Sequence, residues 1–124
     1  MIFGIGIDTV EIERIKKLLS KPNLTRLFSQ EEIAYAESKG LPEASLAAAF
    51  AAKEAVLKAF GTGFDGMGMR DVEVYHEESG RPQIKLHGQA AAFAGKNKIC
   101  GLHLSLSHDR TKAVAMVLAE KAGE

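Results

Sequence analysis

Two acidic residues and one lysine in this 124-residue sequence are of types and at spacings that suit phosphate chemistry. Asp8 follows the short apolar run 4–7, where its simplest role is to cap the next helix. Glu54 and Lys58 are four residues apart in a predicted helix, and such a pair is usually an exposed salt bridge. Mg²⁺ prefers one or two carboxylates together with water and phosphate oxygens. From these residues alone, the sequence predicts an enzyme that uses Mg²⁺ in phosphate chemistry.

Glycines and hydroxyl residues elsewhere carry weaker signals. Gly61 and Gly63 follow Lys58 and could form a phosphate-binding turn of backbone amides, although a helix C-cap is the commoner meaning of such glycines. Ser107 and His108 end a predicted strand, but no Gly-x-Ser-x-Gly pattern surrounds the serines there. A Ser/His hydrolase is therefore the less favoured interpretation of that strand end.

The helix that must position Glu54 and Lys58 is predicted over residues 42–60, and it is apolar or small on almost every side. A helix without a polar face is buried on most sides. Charged groups on such a helix are costly unless they are paired, bound to metal or turned toward a polar cleft. This pattern favours a functional site at Lys53, Glu54 and Lys58 over a simple surface salt bridge.

The remaining hydrophobic pattern predicts a single α+β domain, residues 1–124, with a mainly antiparallel sheet packed against the long buried helix. A strand at 3–8 precedes a helix that Thr9 caps, and a Ser-x-x-Glu capping box at Ser29 opens a second helix. Alternating residues predict a hairpin within 72–86 and strands near 102–107 and 113–118, with a short helix at 90–94. The predicted element order is βαααββαββ.

Composition and charge exclude several classes of function. The chain is 46% hydrophobic and 26% charged, which is typical of a soluble globular protein. Lys and Arg total 16, as do Asp and Glu, so no overall field attracts nucleic acid or a membrane surface. The apolar runs are too short to span a bilayer and the N-terminus does not resemble a signal peptide, so a cytoplasmic protein is expected. Cys100 excludes an intrachain disulfide because it is the single cysteine, and it is expected to be a small core residue.

Three motifs resemble those of the phosphopantetheinyl transferases of the holo-acyl-carrier-protein synthase type. Residues 4–8, GIGID, look like the N-terminal signature of that family. Residues 50–63, FAAKEAVLKAFGTG, are similar to its most diagnostic motif, and residues 104–108, LSLSH, are similar to its closing motif. The motifs occur in the family's order and separations along the whole chain, so the resemblance implies the family's fold.

The same resemblance implies transfer of 4′-phosphopantetheine from coenzyme A to a serine of apo-acyl carrier protein, releasing 3′,5′-ADP, for fatty acid biosynthesis. It implies a homotrimer with active sites at subunit interfaces, and Mg²⁺ held by Asp8 and Glu54. Either Glu54 or a water held by the metal would act as the base, and the sequence leaves that choice open. The expected catalytic residues are Asp8, Glu54 and Lys58. The residues expected to bind the cofactor coenzyme A are Lys53, Lys58, Gly61, Gly63, Ser107 and His108. Among them, Lys58 is expected at the pyrophosphate, and Ser107 and His108 near the nucleotide end.

One position departs from the family pattern. Many members carry Arg immediately before the Phe of the middle motif, whereas this chain has Ala49 and no basic residue within 41–49. Anchoring of the nucleotide's phosphates must therefore differ here. His108, Lys39 and Arg70 are the candidate replacements, and the sequence does not choose among them.

A basic stretch supplies the expected surface for the carrier protein. Five basic residues and no acidic residue lie between positions 14 and 26. Acyl carrier proteins are acidic, so a basic helix bearing Arg14, Lys17 and Lys21 suits them electrostatically. The alternative interpretation is an ordinary solvated helix face.

Two other functions use the same residues in part. A Mg²⁺-dependent phosphohydrolase of nucleotides would need the carboxylates but no surface for a carrier. A carrier-binding module without catalytic activity would need the basic helix but not Asp8, Glu54 and Lys58, whose presence argues against it.

Overall fold

A long helix packed against a three-stranded antiparallel sheet organises the fold. The structure is a computed structural model that describes residues 1–19 and 21–123, with Lys21 described by its backbone alone. It confirms the predicted α+β class. The elements are β1 (Ile2–Glu11), α1 (Ile12–Leu18), α2 (Lys21–Leu27), α3 (Gln30–Ser38), α4 (Pro42–Phe60), a 3₁₀ turn (Met69–Asp71), β2 (Val72–His76), β3 (Pro82–Leu86), α5 (Gly88–Lys96), β4 (Ile99–His108) and β5 (Lys112–Lys121).

The strand order of the larger sheet is β1-β5-β4, so β5 is central and β1 and β4 are its edges. All neighbours are antiparallel, and Asp8 of β1 lies opposite Ala115 of β5, which in turn lies opposite Leu106 of β4. Strands β2 and β3 form a separate hairpin. The inward residues of β5 are small, which lets α4 lie close to this face; they are Ala113, Ala115, Val117 and Ala119, all buried.

Two glycines allow β1 to touch the backbone of α4. A Cβ atom on Gly6 would lie 1.9 Å from the carbonyl oxygen of Ala55, and one on Gly4 would lie 2.0 Å from that of Ala59. Alternate strand residues share a face, so Asp8 continues the row of Gly4 and Gly6 and faces α4 as well. Glycine at these two positions therefore sets the distance at which Asp8 meets the helix.

Helix α4 begins at Pro42 and ends at Phe60, as its sequence pattern predicts. Pro42 occupies the first turn and Gly61 adopts a left-handed conformation at φ 78° just after the last turn. The helix is buried along nearly its whole length, and Ala47, Ala51 and Ala55 have no solvent exposure. Small side chains at these positions allow close packing on several sides at once.

The structure corrects the predictions for the basic N-terminal segment. Strand β1 extends to Glu11, so Thr9 lies inside the strand and caps no helix. The segment that follows forms two short helices, α1 and α2, where the sequence pattern predicted one. Pro22 is the second residue of α2, a position that tolerates proline because the first-turn amides lack helical partners.

Cys100 is exposed, which contradicts its predicted place in the core. It lies where the pairing of β4 with β5 shifts register between Ile99 and Gly101. A bulge of this kind re-aims the side chains next to it, and the local sequence pattern does not reveal it. None of the helices formed by residues 1–19 and 21–123 is long and apolar enough to cross a membrane.

The outer face of the larger sheet, away from α4, exposes large apolar side chains. Ile5 and Ile7 of β1 are 60% and 58% exposed, and Met116 of β5 is 48% exposed. Ile7 pairs directly with Met116, and Ile5 pairs with Leu118. We call Ile5, Ile7, Met116 and Leu118 the outer apolar face.

Candidate active site

Asp8 and Lys58 form the centre of the candidate site. Lys58 Nζ donates hydrogen bonds to Asp8 Oδ1 and to the carbonyl oxygen of Ile7, each at 2.9 Å. The Asp8 side chain is only 11% exposed, whereas that of Lys58 is 53% exposed. The two residues thus form an ion pair that is open to solvent on the lysine side.

The direction of α4 explains how Glu54 joins this pair. Side chains of a helix lean toward its N-terminus, so Lys58 extends back over the turn that carries Glu54. Gly6 meets the helix at Ala55, and Asp8 follows two residues further along the same strand face. The structure therefore brings the three predicted catalytic residues together, and we call Asp8, Glu54 and Lys58 the acidic cluster.

Electrostatics in the acidic cluster favour a cation. Burial raises the pKa of the Glu54 carboxyl above its ordinary value, and the negative charge of Asp8 raises it further. Arg14 and Lys58 act in the opposite direction. Asp8 therefore experiences attraction from Lys58 on one side and repulsion from Glu54 on the other.

The position of the Arg14 side chain was not predicted from the sequence. Its guanidinium carbon lies 5.2 Å from the centre of the Phe50 ring, and its charge reaches Glu54 one turn further along α4. The sequence assigned Arg14 to carrier docking alone, because nothing local indicates that α1 crosses α4 near Glu54. Arg14 thus lies between the basic surface and the acidic cluster.

The acidic cluster fits the binding of Mg²⁺. Asp8 Oδ2 is buried and accepts no hydrogen bond from any described residue, which is costly for a carboxylate oxygen. Glu54 supplies a second carboxylate, and burial together with the negative charge of Asp8 raises its pKa. Within residues 1–19 and 21–123 there is no group of three or more potential protein ligands. Two carboxylates match a metal that completes its shell with water and substrate phosphates.

The glycines after α4 serve first as a helix cap. The amide of Gly61 donates to the carbonyl oxygens of Leu57 and Lys58, both at 3.0 Å, and Thr62 donates to Leu57 at 3.2 Å. The Gly61 amide is therefore not free to bind phosphate, which corrects that part of the prediction. Among the described residues, nothing lies within 4 Å of a Cβ position on Gly61 or Gly63, so a ligand can still approach both.

Lys53 is a structural residue in this fold. Its side chain has no solvent exposure, and Nζ donates to Glu32 Oε1 at 2.9 Å, to the carbonyl oxygen of Met69 at 2.9 Å and to that of Val72 at 2.6 Å. An ammonium has three donors, and all three are used. This geometry corrects the prediction that Lys53 binds the cofactor, since the charge instead joins α3, α4 and β2.

Ser107 and His108 line a cavity of about 540 Å³ at the β4 edge of the sheet, which we call the β4 cavity. Ala49 of α4 and Lys39, which follows α3, lie in the same wall. No member of the acidic cluster lines this cavity. The structure therefore places the predicted nucleotide-end residues and the predicted catalytic residues at different edges of one sheet.

An aromatic pair in the β4 cavity was not predicted from the sequence. The rings of Tyr35 and His76 are parallel within 2° and 3.7 Å apart, and Lys39 Nζ lies 5.2 Å from the Tyr35 ring centre. Nδ1 of His76 is buried without a described partner, and burial lowers the pKa of this imidazole, with a further contribution from Lys39. Tyr35 and His76 are 41 positions apart, so no local pattern could reveal their contact.

The predicted docking residues are divided between two short helices. Arg14 and Lys17 are exposed on α1, while Lys21 begins α2 and its side chain lies outside the described part of the chain. Lys16 of α1 pairs with Glu13 at 3.7 Å, so this basic charge is partly offset.

A half-buried carboxylate pair beside a lysine, with a cavity at the other edge of the same sheet, fits the class of enzymes that handle phosphate esters with a metal ion. A family model described as the 4′-phosphopantetheinyl transferase superfamily matches residues 4–115. A holo-[acyl-carrier-protein] synthase of Alkaliphilus metalliredigens is 47% identical, over 96% of this chain and 99% of its own. The chain belongs to the 4′-phosphopantetheinyl transferase superfamily, and the resemblance predicted from its motifs is confirmed.

Solved structures agree with this assignment. The holo-[acyl-carrier-protein] synthase of Neisseria meningitidis superposes with a TM-score of 0.88 at 35% identity, over 98% of this chain and 100% of its own. The synthase of Bacillus anthracis, in complex with CoA (3′,5′-ADP), gives a TM-score of 0.80 at 35% identity, over 98% and 99% of the two chains. The fold predicted from the family resemblance is thereby confirmed.

Proposed function

We propose that this chain transfers 4′-phosphopantetheine from coenzyme A to a serine of apo-acyl carrier protein, for fatty acid biosynthesis in the cytoplasm. The observation that carries the proposal is the acidic cluster, in which Asp8 and Glu54 converge beside Lys58 in a member of this superfamily. The solved Bacillus anthracis relative binds CoA, and the family's other substrate supplies the hydroxyl group. No nucleophile is needed from this chain.

The proposed reaction forms one phosphorus–oxygen bond and breaks another. The serine oxygen of the carrier bonds to the β-phosphate of coenzyme A, the bond from that phosphorus to the bridging oxygen breaks, and 3′,5′-ADP leaves with the electron pair. A Mg²⁺ ion held by Asp8 and Glu54 would neutralise charge on the pyrophosphate. Lys58 contributes an exposed ammonium on the open side of the cluster, where it can meet the same phosphates. Glu54 would accept the serine proton, with a water that the bound ion would supply as the alternative base.

We further propose that coenzyme A binds between copies of the chain in a homotrimer. The acidic cluster lies at β1 and the β4 cavity lies at β4, so the two are at opposite edges of the sheet. Strand spacing of about 4.8 Å puts these edges roughly 10 Å apart. Helix α4 covers the inner face between them, which leaves no direct path for a ligand there. A neighbouring copy that brings its β4 edge to this β1 edge would complete the site.

The outer apolar face supports this assembly. Ile5, Ile7 and Met116 are large, exposed and contiguous on β1 and β5. Contiguous apolar surface of this kind commonly marks an interface. The face includes β1, the strand that carries Asp8, so copies that cover it would approach the acidic cluster.

One assay separates the proposed function from its alternatives. The purified chain is incubated with coenzyme A, Mg²⁺ and apo-acyl carrier protein, and the carrier is weighed by mass spectrometry. A gain of one phosphopantetheine per carrier is expected, together with an equal amount of 3′,5′-ADP. Breakdown of coenzyme A without carrier modification would indicate a phosphohydrolase, and carrier binding without either reaction would indicate a module without catalytic activity.

A further inference from the structure

Helix α1 holds the backbone of Arg14 in a fixed position. Ile15 of this helix has no solvent exposure and Ile12 is 7% exposed, so both anchor α1 in the core. Arg14 lies between these two anchors, on the exposed side of the helix. The amide of Ile12 also donates to the carbonyl oxygen of Thr111 at 2.8 Å, which joins the start of α1 to the turn between β4 and β5. Arg14 is therefore exposed to solvent on a well-anchored helix.

The guanidinium of Arg14 lies against α4, on the turn that precedes Glu54. Its central carbon is 5.2 Å from the ring centre of Phe50, a residue that is itself only 5% exposed. Residues four apart on a helix are neighbours on one face, so Phe50 places this charge beside Glu54. The nearby Glu13 pairs with Lys16, and no described residue gives the Arg14 guanidinium a hydrogen bond or a salt bridge. A cation over an aromatic face keeps its charge and its donors, which are therefore available to a partner.

The charge of Arg14 acts on the same carboxylate that is assigned to the metal. Burial and then Asp8 raise the pKa of the Glu54 carboxyl, and Arg14 and Lys58 oppose them. Lys58 is already paired with Asp8 at 2.9 Å, whereas Arg14 acts on Glu54 without a salt bridge. A divalent cation held by Asp8 and Glu54 would be attracted by both carboxylates and repelled by the guanidinium. The positive charge of Arg14 therefore lowers the affinity of the acidic cluster for a cation.

An acidic carrier that docks on α1 would change this balance. We propose that Arg14 couples carrier docking to metal binding: a carrier carboxylate paired with Arg14 offsets its charge and so strengthens the hold of Asp8 and Glu54 on a divalent cation. Such coupling is reciprocal, so a bound cation strengthens carrier binding by the same factor. Among the described residues, the charges that act on Glu54 are those of Asp8, Arg14 and Lys58, so Lys17 of the same helix is a matched control. This inference rests on the proposed function.

Binding of Mn²⁺ tests the inference without coenzyme A and therefore without transfer. Mn²⁺ accepts the same carboxylate and water ligands as Mg²⁺, and the electron paramagnetic resonance signal of free Mn²⁺ reports how much is bound. Without carrier, Arg14→Met should bind Mn²⁺ about fivefold more tightly than wild type, because the repelling charge is gone. Arg14→Lys keeps the charge and should stay near wild type. Asp8→Asn should bind Mn²⁺ far more weakly, which would show that the signal reports the acidic cluster.

The same titration with saturating apo-acyl carrier protein tests the coupling itself, after subtraction of the Mn²⁺ that the carrier binds alone. The carrier should tighten Mn²⁺ binding by wild type and by Lys17→Met about fivefold, and by Arg14→Met hardly at all.

The outcomes separate this inference from the proposed function. Unchanged or weaker Mn²⁺ binding by Arg14→Met without carrier, or a carrier effect that Arg14→Met retains in full, would overturn the role of Arg14 alone. Wild-type Mn²⁺ affinity in Asp8→Asn would overturn the metal assignment and this inference with it. Absence of transfer by wild type would refute the proposed function, while the Mn²⁺ titrations would still decide whether Arg14 couples the two sites.

Discussion

Lys58 binds Asp8 through one carboxylate oxygen, Oδ1, while the other oxygen, Oδ2, is buried and has no described partner. One oxygen is therefore neutralised by the chain itself, and the second is left without a described hydrogen bond. Burial raises the pKa of Glu54 and Asp8 raises it further, because the two carboxylates repel each other. A divalent cation would remove both costs at once.

The first prediction concerns this pair of carboxylates. Asp8→Asn and Glu54→Gln keep the side-chain shape and remove one charge each, so both variants should fold as wild type does by circular dichroism. Each should lower kcat/KM for transfer by at least about a hundredfold, because electrostatic stabilisation at a phosphoryl centre is typically of that size. Chelation of Mg²⁺ should abolish wild-type transfer. Full activity of either variant, or of wild type in chelator, would contradict the metal assignment.

The second prediction separates the two lysines of α4, both of which the sequence assigned to cofactor binding. Lys53→Met leaves Glu32 buried without its cation, which should cost about 3–5 kcal/mol in the free energy of unfolding measured with urea. Lys58→Met removes an exposed cation, so it should cost less than about 1 kcal/mol. Transfer per folded molecule should fall for Lys58→Met and stay near wild type for Lys53→Met. A raised Michaelis constant for coenzyme A in a fully stable Lys53→Met would show that Lys53 contacts the ligand.

Much of the scaffold follows from local pattern in the sequence. Helix α4 is flanked by Pro42 and Gly61, and it has too few polar positions to be an exposed helix, so its bounds and burial were predictable. The hairpin of β2 and β3 follows from alternation around a turn. The convergence of Asp8 with Glu54 was predictable only through family resemblance, because 46 positions separate them.

The sequence-based predictions fail where a tertiary contact decides which of two roles a residue has. A charge on a buried helix is either paired or functional, and the partner of Lys53 is Glu32, 21 positions earlier. Arg14 lies on a basic helix face, but its contact with Phe50 depends on how α1 crosses α4. Cys100 has apolar neighbours in the sequence, but it is exposed beside a register shift between β4 and β5. None of these contacts leaves a periodic signal.

The third prediction concerns the pH dependence of stability. Burial, aided by Lys39, lowers the pKa of His76 below the unfolded value of about 6.5. The unfolded chain therefore binds this proton more readily, so stability is complete above about pH 6.5 and falls as the pH drops toward the folded pKa. The urea midpoint of wild type should decrease between pH 7.5 and pH 5.5 by more than that of His76→Gln. Equal decreases in the two proteins would show that His76 does not contribute.

The fourth prediction tests assembly through the outer apolar face. Met116→Glu places a charge opposite Ile7 at the centre of this face, so it should convert trimers to monomers and abolish transfer if the site needs two copies. Tyr75→Glu is the matched control, because Tyr75 is 45% exposed on the separate β2–β3 hairpin against 48% for Met116. Light scattering after size-exclusion chromatography gives the mass. An active monomer would contradict the proposal of a shared site.

The fifth prediction concerns the carrier surface, where the structure separates two residues that the sequence grouped together. Lys17 is exposed on α1, whereas Arg14 also contacts Phe50 and acts on Glu54. Lys17→Glu should raise the Michaelis constant for the carrier and leave kcat and the constant for coenzyme A unchanged. Arg14→Glu should raise the carrier constant and lower kcat as well, because it removes a positive charge near the acidic cluster. Steady-state transfer with each substrate varied in turn measures both effects.

Salt dependence and two control charge reversals complete this test. Exposed charges are screened over about 8 Å at physiological ionic strength, so added salt should raise the carrier constant of wild type and change that of Lys17→Glu less. Lys85→Glu and Lys96→Glu reverse exposed lysines of β3 and α5, outside the basic stretch, and should leave the carrier constant unchanged. Each exposed contact contributes on the order of 1 kcal/mol at most, so the effect of Lys17→Glu should be several-fold and not complete. If the control reversals raise the carrier constant as much as Lys17→Glu does, the carrier responds to net charge and the basic stretch of α1 is an ordinary solvated face.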